Sequence, residues 1–327
     1  LVIKAMARLR FRQVMIGSSE IWIRRTAFLC AFVTTARAEE TPLTLMSYNV
    51  WKQWSQVDDG FRKGVDSIRA AKADVIGMQE ATTELAQKVA DELGWFRAEK
   101  GDGTAQIVSR FPIVDSFAID RLTGARIRLS ENPRREIVVF NCHLDFRFYG
   151  PYAARLADAT PESVLAEENR SGRAPQMRAM LEVMRPFLAA ADETPVFLTG
   201  DFNGPSHLDW TAATASAHAN AGAVAWPAST LVTGAGMLDS FRTAHPDPVA
   251  DPGNTWSTIH RGTEPQDRID FIYHMGGAVH VTGSRVFASA VQTTVGEWSE
   301  AGNMDAVRAN TWPSDHSAVL TEYRLGK

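Results

Sequence analysis

Between residues 43 and 80 the chain switches between the two hydrophobic periods that separate strands from helices, and this constrains the fold more than any other feature. In "LTLMSYNVW" (43–51) apolar positions alternate and stop at Asn49. In "GFRKGVDSIRAAKAD", Phe61, Val65, Ile68 and Ala71 share one helical face, and "VIGMQE" then forms a second strand ending at Glu80. Strand, helix, strand is the opening of an α/β organisation.

The same reading predicts a helix over 83–93 closed by Gly94, two strands within 104–119 parted by Pro112, and a strand over 135–146 with His143 near its end. A helix over 174–190 and a strand from Pro195 to Thr199 follow, and "QDRIDFIYHM" and "SAVLTEYRL" are late strands. Residues 147–173 are the least periodic stretch. They contain Arg147, Tyr149 and Tyr152, and are expected either to contact a substrate or to form a solvated insertion. With no internal repeat, heptad or Gly/Ser linker, residues 39–327 read as a single domain.

Residues 15–38 set the basic pair Arg24–Arg25 before a short apolar core and the small-residue site Ala36-Arg37-Ala38, the order of a secretory signal peptide. The expected protein is therefore exported, to a periplasm or the extracellular space. No later run of about 18 apolar residues predicts a membrane span. Residues 1–38 hold seven of the 34 basic and one of the 38 acidic residues, so the remainder carries 27 against 37, a net charge of −10. That balance disfavours nucleic acid as the habitual partner, and nothing points to an obligate protein partner. Cys142 is the only cysteine left after residue 38, which excludes an internal disulfide there.

Polar residues recur where apolar strands stop: Asn49, Glu80, His143, Asp201 with Asn203 in "TGDFN", Asp270 in "DRID", and Asp315 with His316 in "PSDHSAV". Asn49, Glu80 and Asp315 offer oxygen only, which suits Mg²⁺, or Mn²⁺ in its place, better than zinc. Hydrolysis of a phosphoester needs an activated water, neutralised non-bridging oxygens and help for the leaving oxygen. Asp201 is the candidate for orienting or deprotonating water, with Asn203 beside it, although an Asp and an Asn at this spacing also close turns. Asp270 is the expected partner fixing the tautomer of His316, and His143 donates from the opposite side.

"SYNVW", "GMQE", "NCHLD", "GDFN", "DRIDFIY" and "SDHSAV", in this order over about residues 42–323, resemble the endonuclease/exonuclease/phosphatase family of metal-dependent phosphoesterases, with its DNase I-like fold. The resemblance implies a four-layered α-β-β-α sandwich, two mixed sheets face to face with helices outside, and a Mg²⁺-dependent site at one edge. It makes Glu80 the principal metal ligand, Asn49 its neighbour, and Asp315 a metal-proximal carboxylate. Asp201 and Asn203 match the water-positioning residues, Asp270 and His316 the carboxylate–imidazole pair, and His143 the second phosphate-contacting histidine. Further candidates are less specific. Arg268 reaches a phosphate or a surface carboxylate, Asp239 stands near the rim or caps a turn, and His207 with Asp209 contacts substrate or anchors its loop.

The catalytic set defines a bond type better than a substrate. "EPQDRID" lacks the "PAWCDRI"-like signature of inositol polyphosphate 5-phosphatases, and residues 226–256 offer only scattered tryptophans in place of the aromatic hairpin expected of a sphingomyelin-cleaving enzyme. A small phosphorylated compound remains as the expected substrate of an exported phosphatase or phosphodiesterase. A secreted nuclease and a non-catalytic binding module on the same fold are the alternatives.

Overall fold

The structure is a computed structural model and describes residues 40–259, 264–288 and 304–326. The expected signal segment lies outside the described residues. No helix among the described residues is long and apolar enough to cross a membrane.

The strands in chain order are β1 (Thr41–Asn49), β2 (Val75–Gln79), β3 (Phe96–Arg97), β4 (Ala105–Ser109), β5 (Ile113–Ile119), β6 (Leu122–Glu131), β7 (Arg134–His143), β8 (Val196–Asp201), β9 (Leu238–Asp239), β10 (Asp270–Met275), β11 (Val279–Phe287) and β12 (Ala318–Leu325). They form two six-stranded sheets, β11-β12-β1-β2-β4-β3 and β5-β6-β7-β8-β10-β9. Each is mixed: β1 pairs parallel with β2 and β7 parallel with β8, while β12, β4, β6 and β10 pair antiparallel with their neighbours. The helices that matter here are α1 (Gly60–Ala71), α2 (Thr83–Leu93), α3 (Gly150–Ala153), α4 (Pro161–Glu168), α5 (Arg173–Ala189), α6 (Pro227–Gly234) and α7 (Ser240–Ala244).

The strand pleat sorts side chains into layers. Even-numbered residues of β1 and β2 (Met46, Tyr48, Ile76, Met78) pack under Val65 and Ile68 of α1 and Leu85 and Val89 of α2. Val138, Phe140, Cys142 and Leu198 of the second sheet pack under Met177, Met180, Met184 and Leu188, a stripe at helical spacing on α5. Between the sheets lie Leu43, Leu45, Val75, Val139, Phe197 and Ile272. Helices cover both outer faces, and the architecture is the sandwich with two mixed sheets that the sequence predicts.

Toward one end the apolar layer between the sheets gives way to a polar one. Gln79 Nε2 donates to Asn141 Oδ1 at 2.6 Å, Asn141 Nδ2 donates to the carbonyls of Met78 and Gln106, both at 2.9 Å, and Gly200 N donates to Ser47 Oγ at 3.1 Å. Gly77 permits this close approach, because a Cβ there would stand 2.0 Å from Thr199 Oγ1 and 2.6 Å from Asn141 Oδ1. Gly77→Ala should therefore destabilise the protein by about 1–3 kcal/mol through overpacking, read as a lower urea midpoint at unchanged slope.

Several expectations change in detail. Phe61 does not join Val65, Ile68 and Ala71 in the core. It is 36% exposed and meets Trp54 edge-on at 6.3 Å. Pro112 parts two strands of different sheets, since β4 belongs to the first and β5 to the second. The strand expected over 266–275 starts only at Asp270, and residues 147–173 contain α3 and α4. Asp239 is a cap: its Oδ1 accepts from Arg242 N at 3.1 Å at the start of α7.

Candidate active site

The residues on the inter-sheet face of each strand continue from the core to the rim, and the last of each set is a candidate site residue. On β1 this series is Leu43, Leu45, Ser47, Asn49; on β7 it is Ile137, Val139, Asn141, His143; on β8 it is Phe197, Thr199, Asp201. Registry brings these ends together. Asp201 is the cross-strand partner of His143 on one side and of Asp270 on the other. Asn49 crosses from the opposite sheet and donates Nδ2 to Asp201 Oδ2 at 2.8 Å. Ser314 Oγ donates to Asn49 O at 2.6 Å and accepts from His316 N at 3.1 Å, which pins the Asp315–His316 loop to the end of β1.

Asp201 and Asn203 both close a turn and face the site. Asp201 Oδ1 accepts from Asn203 N at 2.8 Å, leaving Oδ2 for Asn49, and Asn203 (φ +49°) donates Nδ2 to Leu144 O at 3.1 Å. Glu80 leaves β2 with φ +57°, a left-handed conformation uncommon outside glycine. Residues Trp51, Lys52, Gln53 and Trp54 also have positive φ. This left-handed stretch brings Lys52 N to Glu80 Oε2 at 2.6 Å and Trp51 N to Asn49 Oδ1 at 2.9 Å.

His316 Nδ1 and Asp270 Oδ2 are 2.9 Å apart, the pairing expected from sequence. His316 Nε2 lies 3.8 Å from Asp201 Oδ2 and 3.9 Å from Asp315 Oδ1, and His143 Nε2 lies 3.8 Å from Asp201 Oδ2. Burial works against charge on His316, but Asp270, Asp201 and Asp315 together hold its imidazole well above the usual histidine range. Burial pushes His143 down to about 4 and dominates the attraction of Glu80. Burial, then the neighbouring Asp270, pushes the Asp201 carboxyl up to about 7. Burial similarly pushes Asp315 up to about 6, with Glu80 adding to the rise and His316 opposing it.

Glu80, Asn203, Asp315 and His316 line a cleft of about 380 Å³ whose other wall is aromatic. Two oxygen-bearing groupings could receive a cation. Asp201, Asp270 and His316 place ligand atoms within 4.8 Å of one another. Asp270 Oδ1 has no hydrogen-bond partner, but the other facing atoms are engaged: His316 Nδ1 with Asp270 Oδ2, and Asp201 Oδ2 with the amide of Asn49. A charged imidazole has no lone pair to offer a metal. The second grouping faces the cleft. Asp315 Oδ1 is buried without a hydrogen-bond partner beside Glu80, and Asn49 Nδ2 donates to Glu80 Oε1 at 3.3 Å. An unpartnered carboxylate oxygen beside a second carboxylate suits a hard cation such as Mg²⁺.

The remaining sequence candidates divide. Tyr149 reaches the cleft, with its hydroxyl donating to Asp267 Oδ2 at 2.8 Å. Arg268 reaches neither a phosphate position nor a surface carboxylate. It is 1% exposed, and its guanidinium donates to Asp209 at 2.8 and 3.0 Å and to Asp239 at 3.0 Å. Asp209 also accepts from Arg242 Nε at 2.7 Å, so it anchors its loop as an ion-pair partner. His207 sits against α6, its Nδ1 2.9 Å from Ser229 Oγ, and is absent from the cleft lining. Arg147 pairs with Asp145 at 2.8 Å and its side chain is 63% exposed; it is also absent from that lining. Sequence reasoning missed Trp51, Lys52, Phe146, Trp256 and Ile269 as lining residues. Only the position of Phe146, just past His143, gave a signal.

A two-sheet sandwich with carboxylates, amides and imidazoles gathered at one rim places the chain in a definite class. It belongs to the Endonuclease/Exonuclease/phosphatase family, whose sequence pattern matches residues 46–316. An uncharacterized protein of Caenorhabditis elegans is 29% identical over 310 residues, covering 90% of this chain and 95% of that one. Among solved structures, a mannosyl-6-phosphatase of Bacteroides thetaiotaomicron matches with a TM-score of 0.54 at 17% identity, covering 86% of this chain and 99% of that one. TDP2 of D. rerio, complexed with a single-strand DNA product, matches with a TM-score of 0.52 at 15% identity over 86% and 99% of the two chains.

Proposed function

We propose that residues 39–327 are a single catalytic domain of an exported, Mg²⁺-dependent phosphoesterase that hydrolyses mono- or diesters of a small phosphorylated substrate. The observation that carries this reading is the meeting of Asn49, Asp201, Asp270 and His316, drawn from both sheets and from positions 49 to 316, through contacts of 2.8–3.8 Å beside the Glu80–Asp315 cleft.

Glu80 and Asp315, with the Asn49 carboxamide beside them, hold the cation in this reading. The bound cation supplies Lewis-acid neutralisation of the non-bridging oxygens. Asp201 orients the attacking water and takes its proton, and its turn with Asn203 fixes the carboxylate for that task. His316, held by Asp270, offers Nε2 to a phosphoryl oxygen as negative charge accumulates there. His143 donates from the far side. The size of the cleft, at the lower end of the ~300–1,000 Å³ range of small-molecule sites, supports a compact substrate over a polymer. Among the described residues Lys52 is the only lysine or arginine in its lining, which gives a nucleic-acid backbone little to follow.

The test compares hydrolysis of bis-p-nitrophenyl phosphate, a phosphomonoester panel and plasmid DNA, each with Mg²⁺ and with chelator. Metal-dependent turnover of the small esters with little nicking is expected; efficient nicking at low enzyme concentration would replace this reading with a nuclease. Glu80→Gln should raise the Mg²⁺ concentration needed for half-maximal rate by about tenfold or more, since it removes a ligand charge. An unchanged metal titration would remove Glu80 from the metal site.

A further inference from the structure

We infer that the aromatic wall of the cleft is a subsite for a planar aromatic group carried by the substrate next to its phosphate. This rests on the phosphoesterase reading and names the substrate class for it. Phe146 follows β7, Tyr149 and Tyr152 lie at and within α3, and Trp256 is in ring contact with Tyr149 and bridges to His316; all four line the cleft together with Glu80, Asp315 and His316. Phe146 is 68% exposed and Tyr152 47% exposed, so large ring surfaces stand in water within reach of the phosphate position.

The wall is built to stay in place. Tyr149 meets Trp256 edge-to-face at 5.7 Å and Tyr152 at 5.3 Å. Both tyrosine hydroxyls are engaged, with Asp267 at 2.8 Å and with Glu264 Oε2 at 2.6 Å. Tyr149, Tyr152 and Trp256 are thus held before any ligand arrives, which lowers the ordering cost of stacking.

The chemistry of the wall selects among occupants. With its hydroxyls committed, it offers ring faces and edges but few hydrogen bonds for a sugar. Lys52 alone among the described lysines and arginines leaves little for a second phosphate. A volume of about 380 Å³ is short for a lipid chain. A single aryl or nucleobase ring beside one phosphate meets all three conditions.

The experiment measures binding of benzylphosphonate, ethylphosphonate and octylphosphonate to the Mg²⁺-loaded protein by calorimetry, which needs no turnover. The wild-type protein should bind benzylphosphonate about tenfold or more tightly than ethylphosphonate, and the Phe146→Ala/Tyr152→Ala double variant should lose most of that ratio. Tyr152→Phe, which keeps the ring, should retain it. Equal affinity for the benzyl and ethyl compounds, or a ratio unchanged in the double variant, overturns the subsite while leaving the phosphoesterase reading intact. Tighter binding of octylphosphonate assigns the wall to an alkyl chain instead. Failure of all three to bind, together with absence of phosphoester hydrolysis, overturns both readings.

Discussion

Replacing Asp201 or His316 with alanine should lower kcat/KM on a small phosphodiester by about 10³-fold, the scale on which a positioned base or charge-stabilising donor acts. Both side chains are buried where strands of the two sheets meet, at 0% and 4% exposure. Asp201→Ala removes the carboxylate that receives the Asn49 amide and the Asn203 backbone N–H. His316→Ala leaves Asp270 without its imidazole partner. Far-UV circular dichroism and the urea midpoint separate loss of chemistry from loss of fold. Folded variants that both turn over at near-wild-type rates would end the catalytic assignment. In the proposed mechanism the two act on one reaction, so the double variant should cost much less than the product of the single effects.

Arg268→Met should destabilise the protein by about 3–5 kcal/mol, the usual consequence of removing one partner from a buried charge network. Arg268, Asp209, Asp239 and Arg242 are all buried and interlocked by ion pairs of 2.7–3.0 Å. The substitution leaves Asp239 without its arginine and Asp209 with only Arg242. Chemical denaturation monitored by tryptophan fluorescence reads the change, and a loss below about 1 kcal/mol would show that the network is solvated and energetically minor. Arg268 lies two residues before Asp270, the first residue of β10.

The strand ends were legible because alternation gives each strand a direction, a face and a stopping point. Asn49, His143 and Asp201 are each the final member of a series two residues apart, and that series can be counted in the sequence. The partnership of His316 with Asp270 was legible because Asp315 and His316, adjacent in sequence, diverge, which leaves the carboxylate at the end of a neighbouring strand as the partner; the motif resemblance agrees. The roles of Arg268 and His207 were not, because a guanidinium or imidazole near a motif has the same sequence whether it turns to the cleft or into the protein. The turn through Trp51 and Lys52 was hidden for another reason: four successive residues with positive φ carry no glycine to announce them. Of the aromatic wall, Tyr149 and Tyr152 were among the sequence candidates, but Trp256 was missed because it joins them from more than 100 positions away.

The inward-facing series along β1, β7 and β8 carry core side chains at one end and the candidate site residues at the other, on a single side of each strand. Evolution therefore cannot slide one of these strands by a residue to retune the chemistry without turning the hydrophobic partners out to solvent as well. The excursion joining β7 to α5 has no such tie to the pleat, so its residues can vary while the candidate site residues at the strand ends stay fixed.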